Sequence, residues 1–264
     1  MMHRTVAVLL ATVACSATAV AQGLGYAPHN AKYSITSKIH TVQEVMGQRT
    51  EVDASSEQQV TVAAIAKAAG LFDYSATIDS LAVTNSAGPS TDVSKIVGTK
   101  FVGVMGANGR ISEGIYTVPA GGDEKVPQAF GLKNLLPVII PNAKLGATWS
   151  DTVSGDIVQA NGAKIKQTAI ISYTMAGDSL VDGRKAFKLT YTAAASMTGT
   201  GSIQGNDFTI EGKTTGKGVA LIASSGQYLG REGTEDANLT VNVEAAGIVV
   251  PITQTAQVKV ALMK

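Results

Sequence analysis

Apolar and polar residues alternate through most of this chain. Tyr33, Ile35, Ser37 and Ile39 interleave with Ser34, Thr36, Lys38 and His40, the period of a strand with one buried face. Phe72, Tyr74, Ala76 and Ile78 interleave with Asp73, Ser75, Thr77 and Asp79, but Leu81 and Val83 then carry the apolar set. A one-residue slip reverses the buried face, so the pattern predicts a bulge or bend near Ser80. Residues 58–69 read as an Ala-rich helix or as a strand. The row Val60, Val62, Ala64 and Ala66 and the β-branched run Val60-Thr61-Val62 favour the strand. Lys100 to Met105 forms another strand, and Asn108-Gly109 after it is a strong hairpin signal.

The second half alternates more cleanly. Ile165, Ala169, Ile171, Tyr173 and Met175 share a face, Asp182-Gly183 turns the chain, and Phe187, Leu189 and Tyr191 return. Loops at Gly205-Asn206 and Ser225-Gly226 precede the rows Leu239, Val241, Val243 and Val258, Val260, Leu262. Between the halves, residues 119–148 break the alternation with Pro119, Pro127, Pro137 and Pro141. Pro127 to Leu136 suits a short helix, with Asp123 and Glu124 ahead of it to match the dipole. Phe130, Leu132, Leu135, Leu136 and Ile139 make this the most apolar part of the chain beyond the leader.

These elements predict an all-β fold: an antiparallel meander forming a curved half-barrel or sandwich, with a short central helical segment. The boundaries read as a signal peptide over 1–21, a flexible stretch over 22–32, a first β half over 33–118, an apolar connector over 119–148 and a second β half over 149–264. Val102 to Gly109 matches Val219 to Gly226 position for position in type, and Phe72 to Ser75 matches Phe187 to Thr190. A duplication of the halves and chance likeness between alternating strands both account for these matches.

The leader fixes the compartment. Arg4 precedes the apolar run Val6 to Ala14, and Ala19-Val20-Ala21 supplies a small-x-small cleavage site. Export to the periplasm or beyond is the expectation, with cleavage after Ala21. Thr12-Val13-Ala14-Cys15 resembles a degraded lipobox, so anchoring through a lipid on Cys15 stands as the minority alternative. Cys15 is the only cysteine, which leaves the remaining chain without disulfides, thiol nucleophiles or thiolate metal ligands. Removing the leader takes away one cation and no acid, so 21 Lys plus Arg fall to match 20 Asp plus Glu. That balance argues against nucleic acid as a partner. No later segment has the run of apolar residues that a transmembrane helix needs.

Catalytic chemistry has little support. His29 and His40 are isolated, Gly-x-Ser-x-Gly is absent, and Gly201-Ser202-Ile203-Gln204-Gly205 has the wrong spacing for a nucleophile elbow. Asp73, Asp79, Glu232, Glu235 and Asp236 read as solvated charges at loop tips. Gly199, Gly201, Gly216 and Gly218 read as flexible or bulged strand positions. Trp149 reads as a core anchor at a strand start. No cofactor, metal or enzymatic activity is expected.

Three short motifs, Asp92 to Gly98, Leu145 to Thr152 and Gly183 to Leu189, give the chain a resemblance to uncharacterised secreted β-rich proteins of bacteria. By architecture alone it also resembles the LolA-like lipoprotein carriers, a resemblance that implies a curved sheet with helical lids over acyl chains. The expected function is non-enzymatic binding of an apolar ligand, such as a lipid or acyl chain, between the sheet and Phe130, Leu132, Leu135, Leu136 and Ile139. The alternative is a cell-envelope structural or protein-interaction module that uses sheet edges or loops.

Overall fold

The computed structural model describes residues 23–88, 92–122, 131–158, 163–203 and 205–264. The strands are β1 (His29–Val45), β2 (Gln48–Ala68), β3 (Leu71–Asn85), β4 (Lys100–Gly106), β5 (Ile111–Thr117), β6 (Thr148–Val158), β7 (Lys164–Val181), β8 (Arg184–Ile203), β9 (Asn206–Ala223), β10 (Tyr228–Val243) and β11 (Ile248–Leu262). They form one curved 11-stranded sheet in the order β5-β4-β3-β2-β1-β11-β10-β9-β8-β7-β6, every pair antiparallel and the whole not closed into a barrel.

This order is a meander whose break lies in the middle of the chain rather than at its ends. β1 and β11 pair at the centre of the sheet, with Tyr33 opposite Leu262 and Gln43 opposite Ile252. β5 and β6 are the two edges. The registers make β5 and β6 run in the same direction, away from the end that holds the 107–110, 182–183 and 224–227 turns. The intervening chain must therefore run back toward that end, here called the near end, between the two edges. It stands in for the descending strand that an alternating barrel would place there.

Local chemistry explains the turns and the bulge. Asp182 and Gly183 take positive φ values of 49° and 76°, the two-residue hairpin geometry that such pairs favour. Gln59 pairs with Ser80 and Val60 with Ile78, which leaves Asp79 as the extra residue of a bulge. The phase change around Ser80 is that bulge. Asp79 accepts a hydrogen bond from Thr61 at 2.6 Å and faces the Lys32 ammonium at 3.4 Å. Residues 58–68 are strand, not helix. Asp73 and Asp79 lie within β3, and Glu232, Glu235 and Asp236 within β10, so these five charges are strand positions rather than loop tips.

The glycine pairs of β8 and β9 are also regular. The β8–β9 register runs from Ala186 to Ile203 without a shift. A Cβ on Gly218 or Gly233 would meet the Tyr191 hydroxyl at 2.6 or 2.2 Å. These glycines let the Tyr191 ring lie flat on neighbouring strands instead of bulging them.

One face of the sheet is buried and the other is not. Tyr33, Val60, Val62, Tyr74, Ile78, Phe101, Met105, Met175, Leu189, Ile222 and Tyr228 belong to one core cluster on the inner face, near the end just defined. Residues 23–28, read from sequence as flexible, cross that end. Leu24 and Tyr26 are buried there, and His29 to Lys32 already belong to β1.

Candidate functional site

The described part of the central segment from residue 131 onward lies between β5 and β6. Leu132 to Asn134 form a single 3-10 turn, and the rest of the helix expected over Pro127 to Leu136 includes 127–130, outside the described residues. Phe130 likewise lies outside them. Leu132, Leu135, Leu136 and Ile139 expose at most 5% of their surface and join the core cluster. The sheet brings these four together at the near end of its inner face.

An irregular segment in a core must have its backbone satisfied by side chains and turns. The Tyr74 hydroxyl donates to the Leu132 carbonyl at 3.0 Å, and Tyr26 to the Pro137 carbonyl at 2.8 Å. The Trp149 indole donates to the Val138 carbonyl at 2.8 Å and stacks on Tyr173 at 5.7 Å between centroids. Trp149 is therefore an anchor at the start of β6. The Ile139 amide donates to the Asn108 carbonyl at 2.9 Å, which ties the segment to the β4–β5 turn. Arg110 on that turn bonds the buried carboxylate of Asp151 on β6. The two sheet edges are thus bridged through the segment and by one ion pair.

Beyond this plug the inner face continues as a half-buried lining. It carries Ile39, Ala54, Ile171, Ala193, Ala195, Met197, Ala237, Leu239, Ile252 and Ala256, all on one face by register. The opposite face carries Lys164, Lys166, Lys188, Lys213, Lys217 and Lys259 among Thr and Ser. These lysines therefore stand outside, while the inner face interleaves its apolar positions with Ser37, Ser56, Thr214, Glu235 and Gln254.

A cavity of about 180 Å³ opens at the seam. Its walls include Arg110, Lys133, Asp151, Tyr173 and, from the far side, Arg231. Burial raises the Tyr173 phenol to about 12 and pushes Tyr33, Tyr74 and Tyr228 higher still. All four are protonated donors at neutral pH. Burial works against the charge of Arg231, while the ionised forms of Tyr228, Tyr191 and Tyr173, reached only at high pH, and the carboxylate of Glu235 raise its pKa. The sequence reading passed over Arg231. The signal was present, because Arg231 occupies the same odd-numbered phase as the apolar row Leu239, Val241 and Val243.

His40 sits opposite Asp53 with Nδ1 2.8 Å from its carboxylate. Among the described residues no three His, Cys, Asp or Glu side chains converge on a possible metal position.

No family model and no curated protein matches the chain. Among solved structures it is similar to an outer-membrane channel from Pseudomonas putida F1, at 8% identity over 93% of this chain and 98% of that one, with a TM-score of 0.28. A variant of the Rh. blastica porin gives 8% identity, 86% and 99% coverage and a TM-score of 0.28. A DUF1329 family protein from Desulfovibrio piger gives 10%, 84% and 83%, and 0.20. Likenesses at that level carry no argument about what this chain does.

Proposed function

We propose that this chain is an exported, non-enzymatic binder of an apolar ligand, such as a lipid or acyl chain, held between the inner face and the central segment. The observation that supports it is the distribution of side chains on the sheet: Ile39, Ile171, Met197, Leu239 and Ile252 recur on the inner face beyond the plug, and the lysines stand on the outside. A spanning barrel needs the reverse, and each Lys facing lipid near the bilayer midplane would cost about 2–4 kcal/mol. In this reading residues 1–21 direct export, and Phe130, Leu132, Leu135, Leu136 and Ile139 form the wall that the ligand meets.

Native mass spectrometry of the exported protein tests the reading. The expected result is a noncovalent apolar adduct that is lost on denaturation and is absent from Phe130→Asp. A clean unliganded mass, with no uptake of added fatty acid, overturns it. That result would leave the envelope-module alternative, which the unpaired edges of β5 and β6 favour.

A further inference from the structure

Buried cations are normally paired, because an unpaired one forfeits its hydration without return. Arg231 is partly buried and has no such partner. It stands on the inner face of β10, in a row that runs Leu81, Gln58, Ile35, Val260, Arg231, Ala220, Leu189 across six neighbouring strand pairs. Among the described residues no carboxylate reaches ion-pair distance of its guanidinium, and no hydrogen bond holds it. Protein surrounds it, yet part of its surface opens into the seam cavity.

The phenols of Tyr228, Tyr191 and Tyr173 lie around it, with the Glu235 carboxylate further along the same face of β10. Tyr173 lines the same cavity, and the fully buried Tyr228 hydroxyl has no hydrogen-bond partner. Lys133 and Arg110 are the other cations of the wall, and the one acid there, Asp151, is already engaged by Arg110. The cavity holds about six water volumes, room for an oxyanion but not for an acyl chain. The apolar lining adjoins it through Ile171.

We infer that Arg231, with Tyr173, recognises the acidic head group of an amphipathic ligand whose tail lies along the inner face. The shared chemistry is an oxyanion, carboxylate or phosphate, on which the guanidinium acts as a charged fork and the Tyr173 phenol as a neutral donor. This inference rests on the apolar-ligand reading and specifies it. A neutral lipid would cover the remaining exposed surface of the cation and leave it unpaired, so the site selects by charge.

The test is calorimetric titration of the full exported protein with oleate, with oleyl alcohol and with inorganic phosphate. Wild type is expected to prefer oleate over the alcohol by about tenfold or more, the scale of one charge-assisted contact. Arg231→Gln is expected to lose that preference while still binding the alcohol, and Arg231→Lys to recover part of it. Retained alcohol binding shows that the Gln variant is folded at the site. Equal binding of oleate and alcohol by wild type, or an unchanged preference in Arg231→Gln, overturns the head-group inference and leaves the apolar-ligand reading in place. Failure of wild type to bind either probe overturns both. Inorganic phosphate binding as tightly as oleate overturns the amphipathic ligand and assigns the site to a free ion.

Discussion

Arg110 and Asp151 lie 41 residues apart in sequence and on opposite edges of the sheet, yet their side chains bond across the seam. The Asp151 carboxylate is buried and the Arg110 guanidinium is largely exposed. The asymmetry sets the outcome of mutation. Arg110→Ala leaves a buried carboxylate unpaired and is expected to destabilise the fold by about 2–3 kcal/mol. Asp151→Ala releases an arginine that water can solvate and should cost less, about 1 kcal/mol. Urea unfolding of both variants checks the order, and equal losses would show that burial of Asp151 does not govern the pair.

Trp149 is the only tryptophan, so its fluorescence reports the seam alone. Trp149→Phe keeps the stacking on Tyr173 but removes the donor to the Val138 carbonyl. The expected loss is about 1–2 kcal/mol, that of an unsatisfied carbonyl in a poorly solvated place. Chemical denaturation followed by circular dichroism measures it. A ligand entering beside the segment should also shift the Trp149 emission of wild type.

The glycine floor under Tyr191 predicts a specific epistasis. Gly233→Ala places a methyl group against the Tyr191 hydroxyl and should destabilise the protein by about 1–3 kcal/mol. Tyr191→Phe removes that hydroxyl. The double variant is therefore expected to be more stable than the sum of the singles, by about 0.5 kcal/mol or more. Additive losses would mean that the neighbouring Lys217 carbonyl, 2.7 Å from the same methyl position, is the harder wall.

His29 links stability to pH. Burial lowers its pKa, against the raising effect of its hydrogen bond to the Ala27 carbonyl, and its Nε2 is buried without a partner. The unfolded chain therefore takes up the proton first as pH falls. The contribution of neutral His29 is complete above its ordinary value near 6.5 and is lost as pH drops from there through the lower folded value. Wild type should lose stability between pH 7.5 and 5, and His29→Gln should lose less. Parallel losses in the two proteins would exclude His29 as the sensor.

Much of this fold is legible residue by residue. The slip between Ile78 and Leu81 marks the bulge at Asp79, Asp182-Gly183 marks a tight hairpin, and the alternating rows mark the strands, because each signal depends only on neighbours along the chain. The β1–β11 pairing and the seam between β5 and β6 leave no local mark. They follow from strand directions across the whole sheet, as does the meeting of Arg110 with Asp151. Arg231 was legible as a charge in an apolar phase, but its surroundings of Tyr173 and Tyr228 come from other strands and from a bulge at the start of β10.

The pairing of the first strand with the last also bears on how the sheet forms. Five strands on one side and six on the other are hairpin-linked neighbours that can assemble locally. Their union waits for contacts such as Tyr33 with Leu262, which close a loop of nearly the entire chain and carry the entropic penalty of doing so. Until then each half presents a bare strand, β1 or β11, with an open row of amides and carbonyls. Zipping these two together is expected to be the slow and aggregation-prone step of folding, and it requires β1 and β11 to be present at once.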